Sequence, residues 1–221
     1  LNCESAEQIV RQIADVEIDD KISFVIKKTE EIMEDSEYQG VRLSLDAYLD
    51  KTRIPLKIDI STGDVITPCE ISFSYQLMFE NRTIPLLAYP PETVLAEKLE
   101  TILSRGEANT RLRDFYDVYI LQREDFVVTP DALCHALLAT CRKRGHEDLL
   151  HTYASILDRV RQSDTMRTQW MKYQSDFNYA AGITWDTVLD TVETLCMKTL
   201  DDHAFGDELP QEESQFEMHL L

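Results

Sequence analysis

Apolar and polar side chains alternate through the stretch Arg53-Ile54-Pro55-Leu56-Lys57-Ile58-Asp59-Ile60-Ser61. Successive side chains of a β-strand point to opposite faces of the sheet, so this period predicts a strand with one buried face. The same period recurs in residues 22–27 and 41–45, and short polar links separate the runs. We therefore predict that these three strands are neighbours in an antiparallel meander.

Helical spacing of apolar residues takes over after Pro90 and continues to Leu200. Pro90-Pro91-Glu92 is a typical helix start, because proline is tolerated in the first turn and acids suit the N-terminus. The sequence thus predicts an α+β chain in which a small, mostly antiparallel sheet precedes helices. The predicted limits are a sheet domain at 1–89, a helical domain at 90–200 and an acidic tail at 201–221.

The charge balance restricts the function classes. The 221 residues contain 22 Lys and Arg against 41 Asp and Glu, a net charge of −19. Such a surface repels phosphate backbones at long range, which argues against a protein that coats nucleic acid but leaves a local basic cleft open. Five widely spaced cysteines without a Cys-x-x-Cys motif predict reduced thiols in the cytoplasm. Neither a long apolar run nor a signal peptide is visible, so we expect no membrane association.

Asp59 is an acid in the middle of a predicted strand, where acids are disfavoured. Alternation places it with Lys57 and Ser61 on the face opposite Ile58 and Ile60. That face is either an ordinary solvent-facing surface or one that presents a carboxylate to a metal ion. Asp46, on the neighbouring predicted strand, is a weaker candidate of the same type.

Lys98 borders the apolar stripe of the first predicted helix after Pro90, beside Leu95 and Leu99. It is either a surface lysine whose stem covers apolar neighbours or a cation for a phosphate. In the second case we expect it at the edge of a cleft, with little of its side chain buried.

Asp114 and Asp117 lie three residues apart and therefore share one face of the next predicted helix. Arg111 and Arg113 are spaced to pair with them in a solvated charge lattice. The alternative is an acid held close to a lysine, serving as a base or as a cation holder.

Three segments taken together resemble the AbiEii/AbiGii toxin family of nucleotidyltransferases. They are residues 53–64, 89–99 with Ala96-Glu97-Lys98, and 111–119 with Asp114-Phe115-Tyr116-Asp117. The resemblance implies a polymerase-β-like sheet joined to a helical C-terminal domain, in bacterial toxins of toxin–antitoxin and phage-defence systems. It also implies transfer of a nucleoside monophosphate from a nucleoside triphosphate with Mg²⁺, to a tRNA end in some members, and a cognate antitoxin as partner.

The resemblance also implies roles for individual residues. Asp59 matches the family's third metal carboxylate, and Lys98 matches the motif lysine that touches the triphosphate. Asp114 matches the acid of the last motif, as base or organiser, with support from Asp117. The resemblance further implies that Glu97 and Arg111 support these groups from neighbouring positions.

The family's first motif, a Gly-rich turn followed by an Arg and an Asp-x-Asp pair, is missing from the 221 residues. Because the chain starts with Leu rather than Met, we expect it to be an N-terminally truncated piece of a nucleotidyltransferase. The alternative is a catalytically inactive member that binds a nucleotide, an antitoxin or another protein without transfer.

Overall fold

The computed structural model of the chain describes residues 2–18, 20–32, 40–123 and 128–201. Contacts divide these residues into two compact units, one ending at Val65 and the other beginning at Ile66. The predicted boundary near Tyr89–Pro90 lies further along the chain, and the domain limits stay a prediction. The predicted acidic tail lies outside the described residues, apart from Asp201.

The first unit contains a helix, α1 (Cys3–Ala14), and three strands, β1 (Ile22–Ile32), β2 (Gly40–Leu49) and β3 (Thr52–Ser61). The strands form one antiparallel sheet in the order β1-β2-β3, with Val41 opposite Ile60 and Leu45 opposite both Ile26 and Leu56. The predicted meander of three neighbouring strands is therefore confirmed.

One face of this sheet carries the small core of the first unit. Val41, Leu43 and Leu45 of β2 are buried together with Ala6 and Val10 of α1. Ile60 of β3 packs against this core, but Ile54, Leu56 and Ile58 on the same face are exposed. The predicted buried face of this strand is therefore wrong for most of its length, because α1 packs mainly on β1 and β2. The opposite face is polar and pairs Arg42 with Asp59 across the strands.

The second unit begins with a hairpin of β4 (Ile71–Gln76) and β5 (Thr83–Ala88). Helices follow: α2 (Pro91–Arg105), α3 (Leu112–Leu121), α4 (Pro130–Lys143), α5 (Leu149–Gln162), α6 (Asp164–Asp176) and α7 (Trp185–Leu200). Short 3₁₀ helices lie at Gly106–Ala108 and Asn178–Ala180. The predicted α+β class and the predicted helical region after Pro90 are both confirmed.

Local sequence signals set the ends of the helices that matter for the site. Pro91 starts α2, and Gly106 ends it at φ 48°, a left-handed conformation that favours glycine. The Thr129 side chain accepts a hydrogen bond from the Ala132 amide at the start of α4. The start of α2 agrees with the helix start predicted at Pro90-Pro91-Glu92.

The helices of the second unit share one apolar core in which the aromatic rings are central. Phe115 of α3 lies 5.1 Å from Trp185 of α7, and Trp185 lies 6.0 Å from Trp170 of α6, measured between ring centroids. Leu95 and Leu99 of α2 belong to the same cluster. Among the described residues, no helix is long and apolar enough to cross a membrane.

Phe115→Ala should lower the free energy of unfolding by about 3–5 kcal/mol, because it removes a fully buried ring from this core. Urea denaturation followed by tryptophan fluorescence measures the change. Phe79→Ala is the matched control, since that ring is 93% exposed and its loss should change stability by less than about 0.5 kcal/mol. Equal losses in the two variants would contradict the assignment of Phe115 to the core.

Candidate functional site

Lys98 of α2 lies between two carboxylates of α3. Its Nζ is 2.6 Å from Asp117 Oδ2 and 3.3 Å from Asp114 Oδ1. The structure therefore brings together the lysine and the two acids that the sequence nominated. This geometry supports the alternative in which the acids are held close to a lysine. The arginine pairs expected for a charge lattice belong to the same cluster.

Helix packing produces this geometry. Leu95 and Leu99 of α2 and Phe115 and Val118 of α3 are buried in the common core, so the two helices are fixed against each other. Asp114 and Asp117, three residues apart, then share one face of α3 and both reach the lysine.

Two arginines complete the cluster at the start of α3. Arg111 Nε lies 2.8 Å from Asp114 Oδ2, an ion pair without the geometry of a hydrogen bond, and Arg113 Nε lies 3.7 Å from Asp117 Oδ2. The Arg111 amide donates a 2.7 Å hydrogen bond to the buried side-chain oxygen of Asn109, which fixes the turn before the helix.

The members of this cluster differ in how much of each side chain is exposed. The Asp114 side chain is 4% exposed, and those of Lys98 and Asp117 are 19% and 23% exposed, whereas that of Arg111 is 55% exposed. The expectation that Lys98 buries little at a cleft edge is therefore wrong, because α3 covers most of its stem. Asp114 has cations beside both oxygens, which suits a cation holder better than a proton acceptor.

Asp59 belongs to the first unit and pairs with Arg42 of the adjacent strand. Arg42 Nε and Nη2 donate to the two Asp59 carboxylate oxygens, each at 2.6 Å. These hydrogen bonds are the main cause of a lowered Asp59 pKa, against a smaller opposing effect of burial. The arrangement is that of an ordinary charged cross-strand pair.

The donor set does not fit a magnesium ion. Mg²⁺ requires oxygen ligands in near-octahedral geometry, and both Asp59 oxygens are occupied by a guanidinium. Among the described residues, no group of three or more His, Cys, Asp or Glu side chains is arranged to hold a metal ion. Asp46 is also engaged, since it is buried and lies 3.2 Å from Arg53 and 3.5 Å from Lys27.

A buried acid that the sequence did not single out lies two residues after Lys98. Glu100 of α2 is 2% exposed, contacts Arg144 and lies 2.6 Å from His146 Nδ1. These contacts attach the end of α4 to α2. The available signal was an acid directly after Leu99, inside the apolar face of the helix.

A second feature missed by sequence reasoning is an open cleft of about 620 Å³ between the start of α3 and the end of α6. Arg111, Arg113 and Asp114 line one side, and Lys172 and Phe177 are among the residues of the other. Cations and aromatic rings spread over distant segments give no local motif, so only the folded chain reveals the cleft.

The cysteines provide no activated nucleophile in the interior. Burial raises the pKa of Cys141 and of Cys196 to about 12, and it also raises the pKa of Cys134. These thiols stay protonated near neutral pH. All the cysteines of the described residues are free, as the sequence predicted.

Comparison with known proteins gives one match. The family described as "Nucleotidyl transferase AbiEii toxin, Type IV TA system" matches residues 4–191. No curated protein and no solved structure matches the chain. The matched range contains Lys98, Asp114, Asp117 and Asp59.

Lys98→Met should lower the free energy of unfolding by about 2 kcal/mol, because it leaves two largely buried carboxylates without their shared cation. Fully buried pairs lose about 3–5 kcal/mol in such a test, and the partial exposure of Lys98 and Asp117 reduces that figure. Urea denaturation measures the loss.

The double variant Lys98→Met, Asp117→Asn should recover part of this stability, since it also removes one of the two acids. Lys172→Met is the control for loss of an exposed lysine and should have little effect. A Lys98→Met variant as stable as that control would show that the lysine does not hold the two helices.

Proposed function

Because the chain belongs to the AbiEii nucleotidyl transferase toxin family, we propose that the natural protein transfers a nucleoside monophosphate from a nucleoside triphosphate to an acceptor such as a tRNA end, and that these 221 residues supply the Lys98 cluster. The single observation that supports this activity most directly is the placement of Lys98 against Asp114 and Asp117. In the reaction the acceptor hydroxyl attacks the α-phosphorus, the bond to the β-phosphate breaks, pyrophosphate leaves, and the hydroxyl proton passes to a base.

Lys98 is the cation proposed for the triphosphate. A lysine acts on phosphate as a point charge and needs no fixed approach direction. Asp117 holds its ammonium at 2.6 Å, so the phosphate shares a cation whose position is already set before binding. This pre-positioning reduces the entropy lost when substrate and cation meet.

Asp114 is proposed to orient cations, with the role of base as the alternative. Lys98 Nζ and Arg111 Nη2 both donate to its Oδ1, at 3.3 and 3.4 Å, and Arg111 Nε lies 2.8 Å from its Oδ2. Arg111 is the more exposed of the two cations, so it can turn toward a phosphate while Asp114 still holds its position. Asp117 supports the same arrangement from the next turn of α3.

A magnesium ion, when bound, would neutralise charge on the triphosphate. The carboxylates described above do not fit it, because Asp59 would have to release Arg42 first. The metal role that the family resemblance implies for Asp59 thus requires displacement of Arg42, and no step is assigned to Asp59.

Cellular context follows from the family. A toxin of a toxin–antitoxin system is expected to have a cognate antitoxin, which we propose as the partner of this chain, and we place both in the bacterial cytoplasm. Phage defence is the proposed role of the system.

A second candidate function is a binding module without catalysis. Two observations favour it: the 221 residues contain no Asp-x-Asp sequence, and Asp59 is fully engaged by Arg42. In that case the chain binds nucleotide through the Lys98 cluster and performs no transfer. A transfer assay and a nucleotide-binding assay together separate the two functions.

We expect the 221-residue chain alone to show no transfer, and the complete product of its gene to label tRNA when given each nucleoside triphosphate in turn with Mg²⁺. In that product Lys98→Ala should reduce the rate by roughly 10²–10³, comparable to the loss of one charge-stabilising donor. Labelled product on a denaturing gel is the measurement.

Arg105→Ala is the control for this assay, because it removes an exposed cation of α2 outside the Lys98 cluster. Robust transfer by the 221-residue chain would contradict the prediction of inactivity. Nucleotide binding without transfer by either protein would favour the binding module.

A further inference from the structure

The cleft between α3 and α6 collects three cations on a chain whose net charge is −19. Arg111 and Arg113 come from the first turn of α3, and Lys172 comes from α6. The Arg113 side chain is 76% exposed, and Lys172 forms no ion pair with any described residue. Arg111 is paired with the buried Asp114, whereas Arg113 lies at a longer 3.7 Å from Asp117, and Asp176 adds a carboxylate to the lining. A phosphate can therefore reach Lys172 and Arg113 by displacing one long ion pair.

The backbone at the start of α3 contributes little to this preference for an anion. The Asp114 amide donates a 3.0 Å hydrogen bond to the Arg111 carbonyl, and the acid Asp114 itself lies in the first turn of the helix. The positive rim of the cleft therefore consists of the side chains of Arg111, Arg113 and Lys172.

Aromatic rings form the other part of the cleft. Phe177 and Tyr179 are 42% and 51% exposed, and their ring centroids lie 5.4 Å apart. The Tyr173 ring supports both, at 4.7 Å from Phe177 and 6.2 Å from Tyr179, and its hydroxyl bonds to that of Tyr179 at 2.9 Å. These rings are held in place while part of their surface stays open to a planar ligand.

The lining of the cleft includes Gln169, whose side-chain oxygen is buried and has no hydrogen-bond partner among the described residues. Asp114 lines the cleft as well, which makes the cleft a neighbour of the Lys98 cluster.

We infer that this cleft binds a nucleotide, with its phosphate at Arg113 and Lys172 and its base against Phe177 and Tyr179. Phosphate contacts by cations and stacking on aromatic rings are the two parts of single-stranded nucleotide recognition. The choice of a nucleotide rests on the proposed function, whereas the location rests on the cleft. Lys98 is not among its lining residues, so the cleft adds a second set of nucleotide contacts next to the Lys98 cluster.

Two sources supply this chemistry, a nucleoside triphosphate and the end of a single-stranded RNA. The test titrates the 221-residue chain into a short dye-labelled oligoadenylate and follows fluorescence anisotropy, then adds ATP as competitor. A separate titration with a dye-labelled ATP analogue completes the comparison. Stronger binding of the oligoadenylate identifies an RNA end, and stronger binding of the ATP analogue identifies the free nucleotide.

The double variant Arg113→Gln, Lys172→Gln should weaken binding about tenfold and reduce its dependence on salt, since fewer counterions are released. Phe177→Leu keeps an apolar side chain but removes the stacking surface, and it should also weaken binding about tenfold. The matched controls are Arg105→Gln and Phe73→Leu, which remove an exposed cation and a half-exposed ring elsewhere in the same unit. Thermal melts confirm that each variant is folded.

Binding of neither probe, or equal affinity in the cleft variants and the controls, would overturn the inference. These assays need no transfer, so their outcome is independent of the proposed activity. If binding depends on the cleft but the gene product transfers nothing, the inference stands and the proposed transferase fails. If the gene product transfers nucleotide but the cleft variants bind the probes normally, the proposed transferase stands and the inference about the cleft fails.

Discussion

Lys98 is shared by Asp114 and Asp117 across the contact between α2 and α3, and the other features of the second unit depend on this arrangement. A buried carboxylate is costly unless it is paired. Asp114 at 4% exposure is therefore stable only because α2 supplies a cation from one side and Arg111 from another. The apolar packing of Leu99 against Phe115 in turn fixes the distance between the helices. The Lys98 cluster and the apolar core therefore stabilise the same contact between α2 and α3, and a substitution in either affects the other.

The distribution of charge is as informative as its total. A net charge of −19 disfavours long polyanions over most of the surface. The start of α3 and the end of α6 nevertheless bring Arg111, Arg113 and Lys172 to one cleft. A local positive rim on an acidic protein favours a nucleotide or a short strand end over a long duplex. This preference agrees with the proposed transfer to the end of a nucleic acid.

The polar residues of the first unit are arranged differently from those of the second. Its polar sheet face is organised by charged pairs across neighbouring strands, including Arg42 with Asp59 and Arg53 with Asp46. Asp59 remains about half exposed, so its pair with Arg42 adds little stability and is easily screened by salt. Asp59 can therefore exchange Arg42 for another partner at a low cost in free energy. Its proposed role as a metal ligand requires that Arg42 first leaves the carboxylate.

The sequence by itself determined the elements and their classes. Alternation in residues 53–61 identified β3 and its polar face, and Pro90-Pro91-Glu92 marked the start of α2, because these signals are local and act through backbone geometry. Spacing also nominated Lys98, Asp114 and Asp117. Tertiary structure alone decided that Lys98 is mostly buried and joined to both acids, that Arg42 occupies Asp59, and that Phe177 and Lys172 share a cleft with Arg113. Those facts depend on which helix or strand lies beside which. Such proximity arises from burial of the whole apolar core and is not encoded in any short stretch of the chain.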